Sequence, residues 1–149
     1  MRILVDADAC PVKEQIVRIA KKYHLPVIML IDTSHILDDG YSTVITVDKA
    51  RDSVDIKLIN LLSPEDIVVT QDYGVAAMAL GKGAHALNQN GMLYSSDNMD
   101  RLLFERFLGQ KVRRAGGRTV NMKKRGKEEN ETFSAIMEKL VLKKLENNR

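Results

Sequence analysis

The 149-residue sequence contains one cysteine, no tryptophan, three histidines and three phenylalanines. A lone Cys10 excludes an intrachain disulfide and a cysteine-based zinc cluster, and makes a reducing compartment the simpler assumption. Its place at an expected helix start raises the thiol-nucleophile alternative. A Cys-x5-Arg phosphatase loop needs arginine at position 16, which is Ile16, so Cys10 reads as a small buried residue. His24, His35 and His85 are scattered without ligand spacing, and there is no Gly-x-x-x-x-Gly-Lys phosphate loop. The apolar runs are far shorter than a membrane span, and Arg2 followed by strand-like sequence does not resemble a signal peptide, so the expectation is a cytoplasmic protein with no membrane partner.

What is present fits an ordinary folded chain. Hydrophobic residues make up 44% and charged residues 29%, which favours a globular unit over a disordered one, and the aromatic content of 5% calls for an aliphatic core. A length of 149 residues suits one domain, with enough apolar sequence to bury a core unaided. The net charge of +3 identifies no partner.

Apolar runs at 2–6, 27–32, 44–48 and 67–72 are rich in β-branched residues and do not alternate, as expected of strands covered on both faces. Between them Val12, Ile16, Ile19, Ala20 and Tyr23 recur at helical spacing behind Pro11, predicting a helix over 11–23. Further helices are expected near 51–62, 73–82 and 97–109, with a short strand at 84–87. This order is that of an α/β domain whose mainly parallel central sheet is flanked by helices. Phe133, Met137, Leu140 and Val141 mark an amphipathic C-terminal helix at about 130–146 that packs on the domain or on a second subunit, which makes a homodimer compatible with the sequence. From Lys111 to Lys127 there are eight basic residues and no acidic one, and Gly116-Gly117 leads us to expect a basic loop there.

The four strand-like runs end in Asp6, Asp32, Asp48 and Asp72. A parallel sheet would gather these carboxylates at one edge, where ligands of such sheets bind; helix capping is the competing role for each. Asp55 falls among Leu58, Ile59 and Leu62 on the apolar arc of its helix, with Asp52 about 60° away. A carboxylate facing a core needs a base, a capping role or a cation. One arrangement that satisfies all of this joins Asp6, Asp8, Asp55 and Asp72 around Mg²⁺ or Mn²⁺, since oxygen-only ligands favour hard ions. Such a centre performs metal-assisted hydrolysis of a phosphodiester, and the basic stretch, with Arg113, Arg114, Arg118, Lys123, Lys124 and Arg125, would contact an RNA backbone. Two other readings stay open: a non-catalytic nucleic-acid-binding module with a degenerate acidic site, and a phosphatase of the haloacid-dehalogenase type. The second rests on "DADAC", with Thr33 or Ser34 and Asp72 in supporting roles. Tyr73 is a candidate base-stacking ring, and Asn98 is read as part of a helix cap with Ser95 and Ser96.

"VDADACPVK", the pair Asp52 and Asp55 in "RDSVDIKLI", "DIVVTQD", "KGAHALNQNG" and "KVRRAGGRT" resemble the YaiI/YqxD family of uncharacterised bacterial proteins, in order and along nearly the whole chain. That family is similar to PIN-like domains, many of which are Mg²⁺- or Mn²⁺-dependent ribonucleases on a parallel sheet. The resemblance implies a PIN-like three-layer domain and a nuclease-type site. In it Asp6 matches the acidic residue after the first strand, Asp55 or Asp52 that of the central helix and Asp72 that after the fourth strand, with Asp8 as an added carboxylate. The chain departs from the family's pattern at Asp32-Thr33, in "DYGVAA" and in "VNMKKRG".

Overall fold

A computed structural model describes residues 1–32, 36–48, 53–116 and 124–148. Five strands, β1 (Ile3–Asp6), β2 (Val27–Asp32), β3 (Thr43–Val47), β4 (Ile67–Val69) and β5 (His85–Leu87), form one sheet in the order β3-β2-β1-β4-β5. Every pairing between them is parallel, where the sequence promised only a mainly parallel sheet; an isolated antiparallel bridge joins Leu87, at the end of β5, to Leu93. The helices are α1 (Lys13–Lys22), α2 (Val54–Leu61), α3 (Tyr73–Gly81), α4 (Ser96–Arg114) and α5 (Lys127–Asn147).

The central strand explains the unbroken apolar runs. Successive side chains of a strand point to opposite faces, so Ile3 and Val5 enter one core and Leu4 the other, all fully buried. The first core is closed by α1 and α5, through residues such as Ile16, Ala20, Phe133 and Met137. The second is closed by α2, α3 and α4, through Leu58, Val75, Ala79 and Leu102. Three layers result, as a parallel sheet requires.

Two segments differ from expectation. Lys111 to Arg114 continue α4 as helix, so the expected basic loop begins only beyond Arg114; lysine and arginine near a helix C-terminus interact favourably with its dipole. The closing helix is also longer than its apolar spacing indicated, because Gly126 and Glu129 close a capping arrangement ahead of Phe133. Its docking depends on Gly91, which has φ +85°; a Cβ there would lie 2.9 Å from Ile136 Cδ1 and 3.2 Å from Phe133 Cα.

At the sheet's N-terminal edge Asp66 is buried and tied to Arg2 by a 2.7 Å ion pair. It also accepts hydrogen bonds from the Arg2 N–H at 3.0 Å and the Ser63 N–H at 2.9 Å. Burial works to raise its pKa, but these hydrogen bonds outweigh it and hold the carboxyl below its usual range.

Candidate functional site

Parallel strands all end at the same edge, so Asp48, Asp32, Asp6 and Asp72 follow one another across it in the order β3, β2, β1, β4. The chain runs from β1 outward to β2 and β3, then crosses to the other side for β4 and β5, which puts the topological switch point between β1 and β4. Asp6 and Asp72 flank that point.

Thr70 ties them together. Its hydroxyl donates to Asp6 Oδ2 at 3.1 Å and accepts from the Asp72 N–H at 3.0 Å, while its carbonyl accepts from the buried Tyr94 hydroxyl at 3.1 Å. Tyr94 is held in its neutral form, its pKa pushed up to about 12 by burial first and then by Tyr73 and Asp72. A threonine closing an otherwise aliphatic strand, two residues before an aspartate, was the visible sign of this bridge, and the sequence reading passed over it.

The half-buried Asp6 is the electrostatic centre. Burial raises its carboxyl above the ordinary range, the Thr70 hydrogen bond opposes that rise, and the charges of Asp72, Asp8 and Asp55 add to it. Three segments distant in sequence therefore contribute four carboxylates, three of them within electrostatic reach of Asp6. Asp8 enters through a tight turn in which Ala9 has φ 60°, a left-handed conformation uncommon outside glycine. The Ala9 carbonyl accepts from Gln71 Nε2 at 3.1 Å, fastening that turn to the segment after β4. Asp55 is half-buried on the face of α2 that carries Leu58, as its spacing predicted.

Each carboxylate also has local work. Asp72 caps α3, accepting from the N–H groups of Gly74 at 2.7 Å and Val75 at 3.3 Å; a side chain on residue 74 would crowd that oxygen. Asp8 Oδ2 accepts from the Asp32 N–H at 3.1 Å, and Asp55 Oδ1 from the Ile56 N–H at 3.0 Å. Among the described residues no three Asp, Glu, His or Cys side chains stand close enough together to hold one metal ion. The donor chemistry, carboxylate oxygens alone, suits a hard divalent cation.

Beside the carboxylates opens a cleft of about 730 Å³, lined by Asp6, Asp8, Asp72, Tyr73, Arg106 and Arg113, among others. Arg106 lies 5.9 Å from the centre of the Tyr73 ring, which itself meets Tyr94 edge-on. Arg106 and Arg113 of α4 therefore line one wall of this cleft, beside the Tyr73 ring at the start of α3. A larger hollow of about 800 Å³ along α1 includes none of the four carboxylates.

The other expected site residues are distributed as follows. Arg113 lines the cleft, whereas Arg114 and Lys124 are exposed outside it. Arg125 is engaged in holding α5 to the β5–α4 connection: it donates to Asn90 Oδ1 at 2.5 Å, the Gln89 carbonyl at 2.6 Å and Asn130 Oδ1 at 2.9 Å. Asp52, Arg118, Lys123, Thr33 and Ser34 lie outside the described residues. Cys10 is buried and burial pushes its thiol pKa up, which leaves it a poor nucleophile. Asn98 caps α4 reciprocally with Ser95, as read from the sequence. No helix among the described residues is long and apolar enough to cross a membrane.

The family model described as "Uncharacterized BCR, YaiI/YqxD family" matches residues 4–143. A UPF0178 protein of Ruminiclostridium cellulolyticum is 72% identical over 137 residues, covering 92% of this chain and 90% of that protein. A UPF0178 protein of Clostridium kluyveri is 53% identical over 142 residues, covering 95% and 93%. Among solved structures, a mutant of Rae1 (YacP) from Bacillus subtilis overlaps 78% of this chain and 84% of its own, with a TM-score of 0.46 and 18% identity, a distant likeness without functional weight.

Proposed function

This chain belongs to the YaiI/YqxD family, and from that premise and its acidic edge we propose that it is a metal-dependent nuclease hydrolysing phosphodiesters of RNA. The observation that carries the reading is Asp6, a half-buried carboxylate at the switch point whose pKa is raised by burial and by Asp72, Asp8 and Asp55. Mutually repelling carboxylates kept together at a cleft are what a divalent cation relieves. The family's similarity to PIN-like domains supports the same reading.

In this proposal Asp6, Asp8, Asp55 and Asp72 hold Mg²⁺ or Mn²⁺, with Asp52 in support. Mg²⁺ keeps several of its waters, so these carboxylates can hold it directly or through water. When bound, such an ion supplies a water of lowered pKa and counter-charge for phosphoryl oxygens. The chain's own residues do the rest. Thr70 holds Asp6 and Asp72 in mutual register, Arg106 and Arg113 receive phosphates, and Tyr73 offers a ring for a base. Arg114 and Lys124 are further exposed cations for an RNA backbone.

The absence of three metal-ready carboxylates among the described residues favours one competing reading, a binding module without turnover. Single-stranded RNA cleavage with Mn²⁺ separates the two. The nuclease requires cleavage that Asp6→Asn and Asp72→Asn abolish. Salt-sensitive binding with no cleavage in any metal selects the binding module, and variants that cleave as fast as the parent end the nuclease proposal.

A further inference from the structure

α4 has two unlike faces. At about 100° per residue, Leu102, Glu105, Arg106, Gly109 and Arg113 share the side that lines the cleft. On the opposite side Leu103, Phe104, Phe107 and Leu108 are between 44% and 59% exposed. Exposed apolar residues scattered singly are ordinary, but four on one helical face are a contiguous patch of the sort that marks an interaction surface.

The pattern on that face reads the same in reverse, with charge inverted, about the midpoint between Glu105 and Arg106. Phe104 mirrors Phe107 and Leu103 mirrors Leu108. Asp100 mirrors Lys111 and Asp97 mirrors Arg114. By the same helical geometry all eight of these residues lie within the arc opposite the cleft, and all are exposed. A two-fold axis through an antiparallel helix pair brings each residue level with its mirror position in the other copy, and those near the centre of the face, Asp100 with Lys111 and Phe104 with Phe107, into contact, which is the self-complementarity an isologous interface requires. The acidic first turns of one helix then meet the basic last turns of the other, and the phenylalanines close the centre.

We propose that the outer face of α4 is the interface of a homodimer, α4 lying antiparallel on α4 of a second copy. Asp97 then faces the partner's Arg114, and Asp100 faces the partner's Lys111. Any other partner would have to supply this reversed order of charges independently, whereas a second copy of the chain carries it already. The dimer also braces the helix that carries Arg106 and Arg113 over the acidic cleft, whatever chemistry that cleft performs.

Sedimentation of the full chain tests this. The parent is expected at twice the chain mass, and Phe104→Asp with Phe107→Asp at the mass of one chain with unchanged helical circular dichroism. Asp100→Lys alone and Lys111→Asp alone each set like charges opposite one another twice per dimer, so each should weaken association by roughly tenfold or more. Mixed in equal amounts, these two variants restore both pairs in a heterodimer, and association should return to the parent's strength. This mixing arm holds even where the double phenylalanine variant fails to fold. A monomeric parent, a dimer indifferent to both phenylalanines, or a mixture no tighter than its components overturns the proposal.

Discussion

Two aspartates at opposite edges of the sheet, on or beside the adjacent strands β1 and β4, have opposite electrostatics. Asp66, at the N-terminal edge, is buried with Arg2 and two backbone N–H groups around it, and its pKa is lowered. Asp6, at the C-terminal edge, has one hydroxyl donor and three acidic neighbours, and its pKa is raised. The first is arranged so that its charge stabilises the fold. The second keeps a charge that the fold does not neutralise, and such uncompensated groups in a cleft are where function is sought.

Breaking each aspartate separates the two roles. The largest effect expected is on turnover: under the proposed nuclease activity Asp6→Asn should lower the RNA cleavage rate by about a thousandfold, equivalent to about 4 kcal/mol of barrier, in a protein that still melts cooperatively. Asp66→Asn should do the reverse, leaving chemistry intact below its melting point while lowering stability by about 3 kcal/mol, since it strands a partly buried Arg2 and weakens two backbone hydrogen bonds. Urea unfolding measures this directly.

Thr70→Val sharpens the comparison at smaller scale. It removes the donor to Asp6 and the acceptor of the Asp72 N–H, with an expected cost of about 1–2 kcal/mol. It should also move the Asp6 carboxyl resonance to a still higher titration midpoint, readable by carbon-detected NMR, because the lost hydrogen bond is the one that opposes the rise.

The smallest effects are those of pH, and their signs differ. A lowered pKa makes Asp66 stabilising above the unfolded-state value of about 3.9, a contribution lost as pH falls through the folded value. A raised pKa makes ionised Asp6 a cost, absent below the unfolded value and complete above the folded one. Metal-free Asp6→Asn should therefore melt slightly above the parent at neutral pH, with the gap closing in acid, whereas the deficit of Asp66→Asn should shrink in acid. Melting curves of both variants across pH test this pairing.

Much of the fold was legible because local pattern carried it. β-branched runs located the strands, and helical spacing located α1, the apolar arc of α2 and the buried face of α5. Boundaries slipped where sequence signals competed with the surroundings. Pro11 stands two residues ahead of α1 instead of opening it, and Gly116-Gly117 suggested a basic loop whose first residues are in fact the end of α4. The site was legible only in part: strand-terminal aspartates and the apolar-face Asp55 are visible in one dimension, but the Thr70 bridge, the engagement of Arg125 with Asn90 and the cationic wall from α4 are contacts between segments far apart in sequence.

The order of residues alone therefore determined a mainly parallel sheet with aspartates at its strand ends, an aliphatic core and no intrachain disulfide, because periodicity and composition are local properties. Only tertiary structure decided which aspartate is neutralised and which is not. Charge is felt through space, and the switch between β1 and β4 places Asp6 beside Asp72 while Asp66 meets Arg2.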